Sequence, residues 1–121
     1  TTGLTLLWGR IVSADDMDCD GLSLQEEVWA VSDRESLQKA PDIREMLPAS
    51  IDLLILDGGE FSTRAEFEYL LPRIKRWVVL DDTSLRKTKG IQANLASGGY
   101  GSFRPVFKTR ARNGFAIWLK L

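Results

Sequence analysis

Ile51-Asp52-Leu53-Leu54-Ile55-Leu56-Asp57-Gly58-Gly59 is the stretch that decides the fold. It is an apolar run of strand length that stops on an acid. Trp77-Val78-Val79-Leu80-Asp81-Asp82-Thr83 repeats the pattern. Runs without polar alternation suit strands covered on both faces, as in a parallel sheet between helices. Ligands of such sheets bind beyond the carboxyl ends of the strands. Asp57, Asp81 and Asp82 fall there, so two neighbouring strand ends would bring three carboxylates to one crevice.

Downstream of the first run, Thr63 and Glu66 form a capping-box pattern. Phe67, Leu70, Leu71 and Ile74 then mark one face of a helix, whose last turn Pro72 should shorten or kink. A basic helix is predicted from Ser84 to Ala96, and Gly98-Gly99-Tyr100-Gly101 reads as a loop. Phe103 to Arg110 and Phe115 to Leu121 form a pair of strands joined through Arg112-Asn113-Gly114. Asn-Gly between strand-like runs is a strong hairpin signal.

Upstream, Leu4, Leu7 and Trp8 predict a short helix over Thr1 to Trp8, stopped by Gly9. Arg10 to Ala14 reads as a strand ending on Asp15-Asp16, and Val28 to Val31 as a weaker strand ending at Ser32-Asp33. Helix signals run from Glu35 to Leu47, split by Pro41. Strands alternating with helices, closed by a hairpin, predict an α/β fold. The expectation is a Rossmann-like, mostly parallel sheet flanked by helices, with a C-terminal antiparallel hairpin.

The chain of 121 residues has the size of one domain. It is 44% hydrophobic and 27% charged, as ordinary globular proteins are. A formal net charge of -1 gives no overall attraction to nucleic acid or to an anionic membrane. No apolar run approaches the ~20 residues of a membrane span, and no signal-peptide pattern is visible. The single cysteine, Cys19, allows no internal disulfide and fits a reducing cytoplasm. Without histidine, acid–base chemistry falls to carboxylates, Lys, Tyr, Cys or water. Homo-oligomer formation stays open.

IDLLILDGGEF (51–61), RWVVLDDT (76–83) and the closing RNGFAIWLKL (112–121) together resemble the class I S-adenosylmethionine-dependent methyltransferase family. GRIVSADD (9–16) resembles that family's second strand with its ribose-binding acid. The reversed strand that ends the family's sheet is the most telling point of likeness. The family's first strand and glycine-rich loop have no counterpart here, and Thr1 to Trp8 resembles the helix that follows that loop. The expectation is one methyltransferase-like domain over 1–121, an N-terminally incomplete fragment. The first strand of the family lies centrally, between the counterparts of RIVSA and IDLLILD, so its loss would leave strand edges without a neighbour.

The resemblance implies S-adenosylmethionine as cofactor and O-methyl transfer to a small hydroxylated substrate. Asp15 would accept hydrogen bonds from the ribose hydroxyls, with Asp16 as the alternative one residue on. Ser32 and Asp33 fall where the family contacts adenine, and Asp57 and Gly58 border the cofactor. In the metal-dependent O-methyltransferases of the family, the ends of the same two strands supply the ligands. Carried over by position these are Asp57, Asp81 and Asp82, a donor set suited to Mg²⁺. Asp57 or Glu60 would be the proton acceptor if burial raised its pKa. Lys87 or Lys89, on the basic helix, would be the lysine to reach the same crevice.

Simpler roles compete at each position. Strand-terminal acids cap turns and helices, and a basic helix face or the Arg104, Lys108, Arg110 and Arg112 strip is ordinarily solvated. The four tryptophans read as core or edge packing. Asp16-Met17-Asp18-Cys19-Asp20-Gly21 with Glu27 matches a calcium-loop pattern. Ser23 at its normally apolar position, and a strand before it, make it an exposed acidic turn. Two rival classes remain: a phospho-acceptor receiver domain built on Asp15-Asp16, Asp57 and Thr83 or Ser84, and a non-catalytic interaction domain. The receiver fails at the Asn-Gly hairpin, where such a domain needs a Lys on a parallel strand.

Overall fold

The computed structural model describes residues 3–121. Its architecture is mixed α/β: a four-stranded open sheet and three α-helices. The strands are β1 (Ile51–Leu56), β2 (Ile74–Asp81), β3 (Phe103–Thr109) and β4 (Phe115–Lys120), in the spatial order β1-β2-β4-β3. The helices are α1 (Leu24–Lys39), α2 (Thr63–Leu70) and α3 (Arg86–Ser97).

Strands β1 and β2 run parallel, with Leu54 beside Val78 and Leu56 beside Leu80. Strand β4 is antiparallel to β2, setting Trp118 against Val78 and Ala116 against Leu80. Strand β3 pairs antiparallel with β4 as the outer edge. The closing pair thus joins the main sheet, while two of its three pairings are antiparallel, so the sheet is not mostly parallel. The segment 111–113 between β3 and β4 is a 3-10 turn with Arg112 and Asn113 at positive φ.

One sheet face carries the core. Leu56, Ile74, Val78, Leu80, Ala116 and Trp118 pack against Phe67 of α2 and Ile91 and Leu95 of α3. Phe67 and Leu70 form the buried side of α2, which ends there. A 3-10 turn at Leu71–Arg73 holds Pro72, and Ile74, expected on the same helix face, instead opens β2 as a core residue. Phe67 meets Tyr100 edge-on at 5.1 Å. The opposite sheet face leaves Leu53, Ile55 and Phe107 about half exposed or more. Helices on both faces are therefore not observed among the described residues.

The first fifty residues depart most from expectation. Thr1 and Thr2 lie outside the described residues, and Gly3 to Trp8 contains no helix. Arg10 to Ala14 forms no strand: Arg10 makes one parallel bridge to Asp42, and Ala14–Asp16 is a 3-10 turn capped by Ser13. Val28 to Val31 lies inside α1, because Ser23 and Glu26 form a reciprocal capping box that starts a helix there. Two strong donors satisfied at the N-terminus outweigh the weak β preference of two valines. The helix ends at Lys39, just before Pro41. Only Ala30 of α1 is buried, while Leu24, Val28, Trp29 and Val31 are exposed. Of the four tryptophans, Trp118 is core and Trp8 and Trp29 are exposed.

Candidate functional site

Strands β1 and β2 end side by side, and their terminal acids converge. One carboxylate oxygen from each of Asp57, Asp81 and Asp82 lies within 4.8 Å of the other two. The turn that presents them is fixed from below. Asp82 sits at φ 53, and its amide donates to Asp81 Oδ1 at 2.9 Å. The buried Thr88 hydroxyl reaches the carbonyls of Asp81 (2.9 Å) and Asp82 (2.8 Å), tying the turn to α3.

Lys87, one residue earlier on α3, reaches into this crevice. Its Nζ donates to Asp57 Oδ1 at 2.8 Å and lies 3.0 Å from Asp82 Oδ2. Desolvation alone would lower the Lys87 pKa, but hydrogen bonds and attraction from Asp57 and Asp82 outweigh it and raise the pKa. Three carboxylates suit a hard divalent ion in ligand type. As arranged they do not fit one, because an ammonium already lies between two of them. Lys89, the other candidate, instead lines a separate cleft with Arg64, Arg86 and Asp18.

The loop 57–62 joins this crevice to α2. Thr63 Oγ1 donates to the Gly59 carbonyl at 2.6 Å, and Ser62 is the N-cap residue, so the Thr63–Glu66 capping box does not form. Freed from that role, Glu66 faces Gly58 and lines a groove beside the open edge of β1 with Asp57. Burial raises its pKa, against a smaller lowering by the Ser62 hydroxyl at 3.4 Å. Glu60 is half-buried in the same loop and makes no hydrogen bond or ion pair among the described residues. Glu66 is thus an acid of this loop region that burial perturbs. The capping-box pattern had assigned Glu66 to a cap, and its place in the first turn of the helix after an acid-ending strand was the available clue.

The residues expected to hold the cofactor come from the N-terminal segment. Asp16 is committed to Ser13, whose amide (2.9 Å) and hydroxyl (3.1 Å) both donate to Oδ2. Asp15 is solvent-exposed and 3.9 Å from Arg34 of α1. Asp33 lies on the face of α1 that meets loop 57–62. It lines a small hollow with Met17, Leu37, Gly59 and Ser62, and burial raises its pKa. Ser32 is exposed on α1, no longer at a strand end. Asp57, Gly58, Glu66 and Lys87 thus form one group, and Asp33 approaches it across Gly59. Asp15 reaches it through neither hydrogen bond nor ion pair.

The acidic turn does not gather around a common centre. Asp18 pairs with Arg86 at 3.8 Å, and Ser23 and Glu26 are used by the α1 cap. Thr83 is buried, and its amide donates to the Gly114 carbonyl at 3.3 Å. No helix among the described residues is long and apolar enough to cross a membrane. Comparisons with protein-family models, curated proteins and solved structures gave no match.

Proposed function

We propose that this chain is the later part of a Rossmann-like, class I S-adenosylmethionine-dependent methyltransferase domain that methylates a hydroxyl of a small molecule. The observation that carries the reading is the reversed strand. Strand β4 enters antiparallel between β2 and β3, while the parallel ends of β1 and β2 share one acidic crevice. A receiver domain has no place for that reversal.

The two outer edges of the sheet support the same reading. Strand β3 carries Pro105, Arg104 and Lys108, residues that blunt a natural edge. Strand β1 is apolar apart from Asp52, with no proline. An edge of that kind is normally paired. Further polypeptide, pairing with β1 and covering the bare face around Leu53 and Ile55, completes the domain in this proposal.

S-adenosylmethionine would supply the methyl group, its S–CH3 bond breaking to release the neutral thioether as the O–CH3 bond forms, and the acceptor hydroxyl would give up its proton to this chain. Asp57, Glu60 and Glu66 are the carboxylates placed to accept it. Glu66 is favoured by its raised pKa, since a more basic carboxylate is the better acceptor at neutral pH. Asp33 and Gly58 would border the cofactor, with Asp15 brought in from the exposed side. The half-buried Cys19, without a disulfide, suits a cytoplasmic setting.

The test is calorimetric titration of S-adenosylmethionine into the protein made from its complete reading frame. Saturable one-to-one binding, weakened by Asp33→Ala, is expected. Absence of binding to the complete protein would overturn the reading.

A further inference from the structure

The crevice that resembles a metal centre already holds a cation. Lys87 extends from the first turn of α3 with a side chain only 10% exposed. Its ammonium meets Asp57 from β1 and Asp82 from the end of β2 at 2.8 and 3.0 Å. These are the distances of charge-assisted hydrogen bonds. Asp81, the third acid, accepts from the Asp82 amide, so every member of the trio has a partner within the fold.

We infer that Lys87 is the resident cation of the trio, standing where the family resemblance calls for a divalent ion, so that the crevice works without metal. A divalent ion would have to displace the ammonium from two carboxylates and leave a partly shielded charge without either partner. Such stranding of a charge is costly. The arrangement also leaves a donor over. An ammonium has three N–H groups, and the acceptor nearest to the third is the Gly58 carbonyl, at a long 3.5 Å. A ligand oxygen entering beside Gly58 would accept a hydrogen bond from that N–H. In the methyl-transfer reading, on which only this last step rests, Lys87 is the positioning residue for the acceptor hydroxyl.

Electron paramagnetic resonance titration of the complete protein with Mn²⁺, without cofactor, tests the assignment. The wild type is expected to leave Mn²⁺ free up to about 1 mM, the weak end of biological oxygen sites. Lys87→Met uncovers the acids and should bind one ion at least about tenfold more tightly, a 1.4 kcal/mol change. Lys87→Arg keeps the charge and should behave as the wild type. Adding Asp82→Asn to Lys87→Met should abolish the gained site. Stoichiometric Mn²⁺ binding to the wild type that Asp82→Asn removes and Lys87→Met does not strengthen would overturn the inference. If Lys87→Met does not fold, the Lys87 ammonium signal in a nitrogen-resolved NMR spectrum decides. Its persistence in Mg²⁺ supports the assignment, and its displacement by Mg²⁺ refutes it. No readout involves methyl transfer, so failure here and failure of the enzymatic reading are separable.

Discussion

Gly114 packs its bare Cα against the Thr83 hydroxyl, where any Cβ would overlap Oγ1. The same glycine sits at φ +93 and accepts the Thr83 amide at 3.3 Å. The start of β4 is thereby fastened to the turn that carries Asp81 and Asp82. Gly114→Ala should cost about 1–3 kcal/mol from backbone strain, before the overlap adds to it. Urea denaturation monitored by tryptophan fluorescence measures the loss. An unchanged midpoint would show that the turn can move aside.

Thr88 holds the same turn from the helix side. Its buried hydroxyl is the side-chain partner of the Asp81 and Asp82 carbonyls. Thr88→Val keeps the shape and removes the donor, at an expected cost of about 1–3 kcal/mol for a stranded buried acceptor. Thr88→Ser, which keeps the donor and loses a methyl, should cost less. Equal losses in chemical denaturation would assign the effect to packing instead.

Glu66 should make stability depend on pH in the direction opposite to a salt-bridged acid. Burial raises its folded-state pKa above the ordinary value of 4.5, so the folded chain holds the proton more tightly. Its contribution to stability therefore grows as pH falls through the folded pKa and levels off below 4.5. Above the folded pKa the buried charge is a burden. Glu66→Gln should flatten this part of the profile and stabilise the protein at pH values above it. Denaturation midpoints of both proteins across the acid range test the sign.

Arg86 connects α3 to the N-terminal segment through Glu26 at 3.2 Å, Asp18 at 3.8 Å and the Asp20 carbonyl at 2.9 Å. Both side chains of the Arg86–Glu26 pair retain some exposure. A double-mutant cycle with Arg86→Ala and Glu26→Ala should give a coupling of only about 0.2–1 kcal/mol, reduced by salt. A coupling several times larger would mean that this contact anchors α1 cooperatively.

Residues 51–121 were largely legible in the sequence because each signal there is local and agrees with its neighbours. Apolar runs ending on Asp57 and Asp81 became β1 and β2, the spacing of Phe67 and Leu70 became α2, and Asn113-Gly114 became the return into β4. The N-terminal part misled because its apolar residues do not report strand pairing: Val12 is buried without belonging to a strand. Ile11 and Val12 looked like strand residues, yet that segment makes a single bridge. Val28 and Val31 looked β-like, although Ser23-Leu24-Gln25-Glu26 spells a capping box that outranks them. The convergence of Asp57, Asp81 and Asp82 followed from two adjacent parallel strands. The partner of Asp57 and Asp82 was less accessible, since which of Lys87 and Lys89 turns inward depends on the exact start of α3.

Helix α1 buries Ala30 and little else, whereas the sheet is closed over Phe67, Ile91 and Trp118. The molecule should accordingly breathe in two tempos. Amide protons of α1 would exchange through frequent detachment, long before those of β2 and β4, which await global unfolding. Asp33 travels with the looser partner. Whatever settles into the hollow beside Gly59 would therefore slow the exchange of a helix while leaving the sheet's own clock unchanged.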